Sequence, residues 1–288
     1  MGFNLGQKGR KMRIQWFPGH MTKAVRLIEE NLKLVDTVGY VLDARAPSAC
    51  FNPIFDRLTE GKSAVYILNK CDLADPKKVE KFAAALRNDG KTVVCVSAID
   101  KTAIKKLIDA FGNAEYERIS KFKAKGISRP VRAIIIGVPN CGKSTLINAL
   151  SGKKKTITGD KPGVTKGKQW VRLADGLELL DTPGTLWGKI EDEVSARRLC
   201  FIGSVKDDVV DVCELAPLLL EELKNAYSEA LFARYGVEID GLGGAEILDA
   251  ICKKRGYTVK GGEPDILRGA KAVLDDFRKG RIGKITFD

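Results

Sequence analysis

The sequence predicts an α/β domain built on a mostly parallel sheet, followed by a small all-α domain. Short apolar runs alternate with helical patterns over the first two thirds of the chain, which is typical of βαβ units. Beyond about residue 190, the patterned segments have helical periodicity and no convincing strand occurs. The 288 residues suffice for two such domains. We therefore place the α/β domain at 1–190 and the helical domain at 191–288.

Three buried strands are predicted in the first part of the α/β domain, at 37–43, 64–68 and 92–96. Helical patterns precede, separate and follow these strands, at 22–33, 52–60, 76–88 and 101–111. Strands that alternate with helices in this way favour a parallel sheet, because parallel neighbours need a crossover connection.

A basic, weakly patterned stretch at 118–130 is predicted to be a linker. An apolar strand at 131–136 follows, then a glycine-rich turn and a helix at 144–150. The segments 168–173 and 177–180 flank an Asp-Gly pair, which is a strong hairpin signal. The helical domain is predicted to contain helices at 193–202, 216–235, 244–255 and 264–279.

Composition excludes several classes of protein. Hydrophobic residues make up 44% and charged residues 30% of the chain, which argues for a soluble globular protein and against disorder. No apolar run reaches the roughly 18 to 20 residues of a membrane helix, and the basic start lacks the apolar core of a secretory signal. Seven cysteines are scattered singly, which favours free thiols in a reducing cytosol. We therefore expect a cytoplasmic protein without a transmembrane segment.

Charge is distributed unevenly along the chain. The formal net charge is +12, with basic clusters at 8–26, 118–132 and 153–168 and an acidic stretch at 206–249. A basic surface attracts polyanions, but charge alone leaves nucleic-acid binding and its absence equally open. The segregation of the two signs along the chain is more informative than the total.

A phosphate-binding motif follows the strand at 131–136. Residues 137–144 read G-V-P-N-C-G-K-S and match G-x-x-x-x-G-K-[ST] in full. Its glycines let backbone N–H groups wrap a phosphate, and the start of the next helix adds its positive dipole end. Lys143 would reach the β- and γ-phosphates, and the Ser144 hydroxyl would bind Mg²⁺. A plain glycine turn is the alternative, which the flanking strand and helix disfavour.

A second phosphate-sensing motif follows about 40 residues later, a typical separation for the pair. Residues 181–184 read D-T-P-G. Asp181 would bind Mg²⁺ through a water molecule, and the Gly184 N–H would sense the γ-phosphate. Between the motifs, Thr165 offers a second hydroxyl ligand for Mg²⁺. This assignment depends on its neighbours, because a lone threonine in a basic loop more often has no such role.

A phosphate loop alone does not determine which nucleotide base is bound. The run N-K-C-D at 69–72, which follows the strand at 64–68, predicts guanine. The Asp72 carboxylate can accept hydrogen bonds from N1–H and N2–H₂ of guanine, whereas adenine would leave it unpaired. The Asn69 amide is expected near O6 and N7 of the base, and the Lys70 stem is expected to cover the ring. Ser97-Ala98 would supply a backbone N–H for O6. The alternative for 69–72 is a helix N-cap followed by surface charges.

The order of these motifs is rotated relative to an ordinary small GTPase, where the phosphate loop comes first. Here the base-selecting motif and Ser97-Ala98 precede it. The same site can still assemble, because strands can be cut and rejoined at surface loops. The join would be the linker at 118–130. The loop at 181–184 then leads directly into the helical domain. A nucleotide-dependent movement of this loop could therefore be transmitted to that domain.

The chain resembles the circularly permuted GTPases of the ribosome biogenesis GTPase A (YlqF/RbgA) type, in the TRAFAC class of P-loop GTPases. The resemblance covers nearly the whole chain. It rests on W-F-P-G-H-M at 16–21, D-A-R-A-P at 43–47, the motifs at 69–72, 137–144 and 181–184, and G-R-I-G at 280–283. It implies a P-loop GTPase fold with a Rossmann-like sheet and a helical domain that contacts ribosomal RNA. It also implies slow GTP hydrolysis that the large (50S) ribosomal subunit stimulates during its late assembly.

The resemblance assigns further roles. His20, the single histidine, matches the histidine proposed as catalytic in the family, and its imidazole could orient the attacking water. The alternative is a structural histidine beside Trp16 and Phe17. Asn140 matches an asparagine that helps to bind K⁺ in related GTPases. Thr185 stands where many GTPases carry the water-orienting glutamine and relatives usually carry a hydrophobic residue, so its role stays open.

The predicted cofactors are GTP or GDP and Mg²⁺, with K⁺ as a further candidate, and the predicted partner is the large ribosomal subunit with its RNA. The oligomeric state is not fixed by the sequence, and we expect a monomer. The residues predicted to bind Mg²⁺ are Ser144, Thr165 and Asp181. The predicted nucleotide-binding residues are Asn69, Lys70, Cys71, Asp72, Ser97, Ala98, Asn140, Cys141, Gly142, Lys143, Ser144, Thr145 and Gly184.

Two other functions fit the sequence. One is a ribonucleoprotein placeholder whose GTP stabilises its fold with little turnover, which the missing glutamine permits. The other is a protein- or membrane-targeting GTPase whose acidic helical stretch binds a protein. The second predicts no salt-sensitive association with RNA, whereas several phosphate contacts would make RNA affinity fall steeply with salt.

Overall fold

A computed structural model describes residues 18–126, 129–151, 170–173, 176–180 and 192–288, with side chains from residue 25 onward except at 53, 117 and 118. Its centre is a six-stranded sheet with the strand order β3-β2-β1-β4-β6-β5. The strands are β1 (Thr37–Asp43), β2 (Ser63–Asn69), β3 (Thr92–Cys95), β4 (Val131–Gly137), β5 (Trp170–Arg172) and β6 (Leu177–Leu180). The predicted α/β fold with a mostly parallel sheet is confirmed.

The first four strands and β6 are parallel, and β5 pairs antiparallel with β6. In the register of the sheet, Asp43 lies opposite Asn69, and Val41 lies opposite Gly137. The loops that follow β1, β2 and β4 therefore leave the sheet at the same edge. Because β4 enters beside β1 rather than beside β3, this edge brings together segments from both halves of the domain.

Eleven helices of four or more residues lie in the described part of the chain. Before the phosphate motif these are α1 (Pro18–Leu32), α2 (Pro53–Leu58), α3 (Pro76–Asn88), α4 (Lys101–Ala114) and α5 (Tyr116–Ala124). The remainder are α6 (Lys143–Ser151), α7 (Glu193–Phe201), α8 (Val212–Ala226), α9 (Ser228–Tyr235), α10 (Gly244–Arg255) and α11 (Ile266–Arg278).

Two sequence-based expectations about helices are wrong. The predicted linker at 118–130 contains most of α5, because Ile119 packs on the core and the Arg129 guanidinium lies over the Phe122 ring, 5.8 Å from its centroid. The basic side chains of this stretch hid the apolar pair. The single helix expected at 216–235 is two helices that meet at Tyr227. The Tyr227 hydroxyl bonds to both the backbone N–H and the carbonyl of Thr286, at 3.0 and 2.9 Å, which fixes the chain at this break.

The core is continuous from the sheet to the C-terminal helices. Every residue of β1 is buried, as expected of a strand with helices on both faces. The apolar cluster extends from these strands through α7, α8, α10 and α11. The boundary placed at residue 190 stays a prediction, since 181–191 lie outside the described residues. The described helical part begins with Asp192 as the N-cap of α7.

The chain ends in a segment that returns to the sheet. We call residues 279–288, which follow α11, the C-terminal segment. Its backbone N–H groups at Ile285 and Phe287 donate to the carbonyls of Leu73 and Arg45, at 3.1 and 2.8 Å. It therefore lies on the loops that follow β1 and β2. Among the described residues, no helix combines the length and the apolar character that crossing a bilayer requires.

Candidate nucleotide-binding site

The phosphate loop, residues 137–142, connects β4 to α6. Gly142 has a φ of 96°, in a region that favours glycine, and a Cβ there would collide with the Asn69 amide nitrogen. A Cβ on Gly137 would collide with the Val41 carbonyl oxygen. Asn140 also has a positive φ, of 57°, and asparagine tolerates this better than most residues. The motif glycines are thus required by the close approach of neighbouring strands and loops.

Lys143 begins α6 and is 6% exposed. Its ammonium donates to the carbonyls of Gly137 and Val138, at 3.1 and 2.7 Å. The third N–H donor of the ammonium faces the Cys141 Sγ at 3.8 Å, a weak acceptor that a phosphate at the helix N-terminus would replace. Ser144 is half-buried and Thr145 is exposed in the same first turn. These positions suit the roles predicted for phosphate and Mg²⁺ binding.

The base loop, residues 69–73, follows β2. Asn69 is 2% exposed, and its Nδ2 donates to the Cys141 carbonyl at 2.9 Å. Its amide N–H therefore ties the base loop to the phosphate loop, whereas the sequence suggested only a contact with the base. Its Oδ1 is buried without a protein partner. The Cys71 thiol turns back to the Leu68 carbonyl at 3.1 Å, and Asp72 is exposed, which leaves its carboxylate accessible to a base.

Ser97 and Ala98 lie beside the base loop. Val96, which follows β3, donates from its N–H to the Leu68 carbonyl at 2.8 Å and accepts from the Cys71 N–H at 3.2 Å. These two bonds bring the half-buried pair 97–98 next to residue 71. The structure thus gathers 69–72, 97–98 and the phosphate loop at one edge of the sheet, although their order in the sequence is rotated.

The Asp43 carboxylate was not assigned a role from the sequence, and it lies between these loops. It ends β1, is fully buried, and binds Arg45 through two oxygens at 2.9 and 2.7 Å. Lys70 Nζ lies 2.9 Å from the same carboxylate. Burial by itself would raise the pKa of Asp43, but Arg45 and Lys70 hold this pKa below its usual range. An acidic residue at the end of a buried strand, with arginine two positions later, was the available signal.

Several predicted site residues lie outside the described part of the chain. These are Thr165, Asp181, Gly184 and Thr185. The His20 backbone belongs to the first turn of α1, but its side chain is not described. The structure therefore places the residues predicted for the base and for the phosphate loop. The roles predicted for the other residues stay predictions.

Comparisons with known proteins agree with this geometry. A family model described as a 50S ribosome-binding GTPase matches residues 132–231. Ribosome biogenesis GTPase A of Priestia megaterium is 39% identical over 279 residues, which cover 96% of this chain and 97% of that protein. The Bacillus cereus protein of the same name is 40% identical over 278 residues, covering 96% and 94%. A crystal structure of GNP-bound YlqF from T. maritima superposes with a TM-score of 0.64 at 31% identity, covering 92% of this chain and 97% of that chain.

The matches extend along both the α/β part and the C-terminal helices, so they include the rotated order of the motifs. The sheet order explains how this order still forms one site, since β4 inserts beside β1. On the residues, the topology and the extent of the matches, the chain belongs to the ribosome biogenesis GTPase A family of circularly permuted P-loop GTPases.

Proposed function

We propose that this GTPase acts in late assembly of the large ribosomal subunit, where it binds the pre-ribosomal particle and its RNA in a nucleotide-dependent way. The observation that carries the nucleotide part is the contact between loops. Asn69 Nδ2 bonds to the Cys141 carbonyl at 2.9 Å, and Lys70 Nζ bonds to the Asn140 carbonyl at 2.5 Å. A base-selecting loop and a phosphate-binding loop held together in this way fit the two ends of one nucleotide.

In the proposed complex, Asp72 accepts from N1–H and N2–H₂ of guanine, and a backbone N–H at Ser97-Ala98 donates to O6. The Lys70 stem runs between the two loops, because its ammonium is anchored on Asp43 and on the Asn140 carbonyl. This route lets the stem cover one face of the base. The phosphate loop and the Lys143 N–H that faces the Cys141 thiol hold the β- and γ-phosphates.

Magnesium is the proposed metal. The Ser144 hydroxyl in the first turn of α6 is one ligand, and Thr165 and Asp181 are the other proposed contributors, the carboxylate acting through water. Bound Mg²⁺ would neutralise charge on the transferred phosphoryl group.

Potassium is proposed at Asn140. Its Nδ2 donates to the Gly203 carbonyl at 2.7 Å, so the amide is held in place with its oxygen as the atom suited to a cation. Turnover should be faster in K⁺ than in Na⁺ at equal ionic strength. Equal turnover in the two salts would argue against this site.

The ribosomal part rests on charge and on the family. The net charge is +12, and exposed basic residues follow one another at the end of α10, where Lys253, Lys254 and Arg255 precede an exposed Lys260. Relatives of this chain carry names that state ribosome biogenesis. A cluster of this kind can bind RNA phosphates, and its contribution should weaken as salt rises. We propose that the protein is a cytoplasmic monomer that binds the pre-ribosomal large subunit.

The test is GTP turnover and co-sedimentation with large ribosomal subunits, in the presence of GTP, GDP or a non-hydrolysable analogue. The proposal expects binding that differs among these states and turnover that rises with added subunits. Nucleotide-dependent binding without stimulated turnover would indicate a placeholder. If the chain does not sediment with the subunits in any nucleotide state, the ribosomal role is wrong and a targeting GTPase is the better account.

A further inference from the structure

The Asp43 carboxylate is shared by two cations at the buried end of β1. Its Oδ1 accepts from the backbone N–H and the Nε–H of Arg45, at 3.1 and 2.9 Å. Its Oδ2 accepts from Arg45 Nη2 at 2.7 Å and lies 2.9 Å from Lys70 Nζ. The side chain of Asp43 is fully buried, so these partners replace the water that an exposed carboxylate would bind. Asp43 therefore forms ion pairs with both Arg45 and Lys70, and we call this three-residue contact the junction.

Lys70 connects this junction to the base loop and the phosphate loop. Its backbone is left-handed, with φ 62° and ψ 34°, a conformation that is unfavourable for a residue with a side chain and persists where the surroundings fix it. Here the ammonium is fixed by Asp43 on one side and by the Asn140 carbonyl on the other. Loss of the carboxylate removes one of these two anchors.

Arg45 connects the same junction to the C-terminal helices. Its side chain is 2% exposed, and its Nη1 donates to the Arg278 carbonyl at 3.1 Å, while Nη2 lies 3.4 Å from the Ile202 carbonyl. These carbonyls lie at the C-terminal ends of α11 and α7, where the helix dipole attracts a cation. The guanidinium also lies over the Phe277 ring, 5.3 Å from its centroid. One guanidinium thus anchors the ends of two helices beside the site.

Further contacts join the C-terminal part to the nucleotide loops. Asn140 Nδ2 donates to the Gly203 carbonyl at 2.7 Å, and the Ser204 hydroxyl donates to the Pro139 carbonyl at 2.8 Å. On the base loop, Leu73 leaves no room for a Cβ on Gly280, whose φ is 70°. The turn after α7 therefore contacts the phosphate loop, and the C-terminal segment contacts the base loop.

We propose that Asp43 is a positioning residue that couples seating of the guanine base to packing of the C-terminal segment on the nucleotide loops. The inference rests on the proposed function, because Asn69–Asp72 must hold the base. Coupling of this kind is reciprocal. Bound nucleotide tightens the packing of the C-terminal segment, and a contact that displaces this segment weakens nucleotide binding. The helical part thereby has a route to the nucleotide that does not pass through the loop at 181–184.

The experiment compares Asp43→Asn with the wild-type full-length chain. Affinity for a fluorescent GDP analogue is measured, together with amide hydrogen exchange in residues 279–288 with and without saturating GDP. Asp43→Asn should bind GDP about 10 to 100-fold more weakly, the range expected for a lost hydrogen bond to a charged group. GDP should slow exchange at Ile285 and Phe287 in the wild type, but not in Asp43→Asn even when the variant is saturated.

Asp36→Asn is the matched control. Asp36 precedes the same strand at the opposite edge of the sheet, is 8% exposed, and binds Arg129 at 2.8 Å. Its substitution should lower stability, but it should change neither GDP affinity nor the effect of GDP on the C-terminal segment. If Asp43 had only a structural role, Asp43→Asn would behave like Asp36→Asn and would lower stability without changing GDP affinity.

If Asp43→Asn does not fold, Lys70→Met provides a second test, because it keeps the Asp43–Arg45 pair and removes the ammonium that joins Asp43 to the Asn140 carbonyl. The inference is overturned if GDP slows amide exchange in residues 279–288 equally in the wild type and in the tested variant. It is also overturned if GDP does not slow exchange in any of these residues in the wild type. Failure of the proposed function is distinguishable. If the proposed function is wrong, Asp72→Asn leaves the base preference unchanged. If Asp72→Asn changes the base preference as expected while Asp43→Asn keeps the wild-type coupling, only the inference about Asp43 is wrong.

Discussion

Asn69 donates a hydrogen bond from Nδ2 to the backbone carbonyl of Cys141 at 2.9 Å, across 72 positions of sequence. The bond is buried and joins the base loop to the phosphate loop. Because the two loops are already held together in the protein, they lose less conformational entropy when a nucleotide binds. The relationship also explains why the glycine at 142 is needed, since a side chain there would occupy the position of this amide.

Replacing Asp72 with asparagine should change the preferred base from guanine to xanthine. The amide offers a donor where the carboxylate offered an acceptor, and xanthine carries an acceptor at its 2-position. We expect affinity for GDP to fall about 100-fold and affinity for xanthosine diphosphate to rise, as measured by competition with a fluorescent nucleotide. The exposed Asp89, at the end of α3, provides the control substitution Asp89→Asn, which should leave preference unchanged. Unchanged guanine preference in Asp72→Asn would refute the base assignment.

Replacing Lys143 with methionine should abolish stabilisation by nucleotide. The wild type at a GDP concentration of 100 Kd should gain about 2.7 kcal/mol in free energy of unfolding. Lys143→Met lacks the donor proposed for the phosphates, so the same concentration should give no gain. Guanidinium unfolding with and without GDP measures the difference, and Lys106→Met on the exposed face of α4 should keep the wild-type gain. A gain of wild-type size in Lys143→Met would contradict the proposed role.

Replacing Thr286 with valine should lower the free energy of unfolding by about 1 to 3 kcal/mol. The Thr286 hydroxyl is buried, accepts from the Asp75 N–H at 3.1 Å and donates to the Ala44 carbonyl at 3.0 Å. Valine keeps the shape and leaves both backbone groups unpaired. Denaturant unfolding measures the loss, and the exposed Thr102→Val should change it by less than about 0.5 kcal/mol. Equal stability of the two variants would show that the hydrogen bonds of the Thr286 hydroxyl do not stabilise the fold.

Stability should fall in acid partly through Asp43. Its pKa in the folded state is lowered by Arg45 and Lys70, against the opposing effect of burial. The unfolded state therefore binds a proton more readily, and this contribution to stability is present above about pH 4 and is lost as pH falls through the folded-state pKa. Asp43→Asn should be less stable at neutral pH and should lose less stability between about pH 5 and pH 2. Parallel slopes for the two proteins, from unfolding measured at each pH, would contradict this.

Replacing His20 with alanine tests the proposed catalytic role. If the imidazole orients the attacking water, subunit-stimulated kcat should fall about 100-fold or more while GDP affinity stays near that of the wild type. Single-turnover hydrolysis and nucleotide titration separate these two quantities. A fall in both, with loss of stability, would instead favour a structural histidine.

Much of the α/β fold could be predicted from local pattern. The strands at 37–43 and 131–137 are apolar runs between helical patterns, and the phosphate motif stands between a strand and a helix, so spacing alone gave their type. The helix at 116–124 was missed, because its basic residues weakened the apolar signal and its partners, such as Arg129, are contacts that no local window displays.

The nucleotide chemistry could be read from local motifs, because residues such as Lys143 and Asp72 carry it within short segments whose spacing survives a rotated order. How these motifs meet depends on folding, through the parallel register that sets Asp43 opposite Asn69. It alone showed that Asp43 and Arg45 join the base loop to the C-terminal helices, with Arg45 bonded to the Arg278 carbonyl 233 positions away. The physical reason is that burial and pairing of a charge depend on neighbours brought together by folding, which neither composition nor periodicity records.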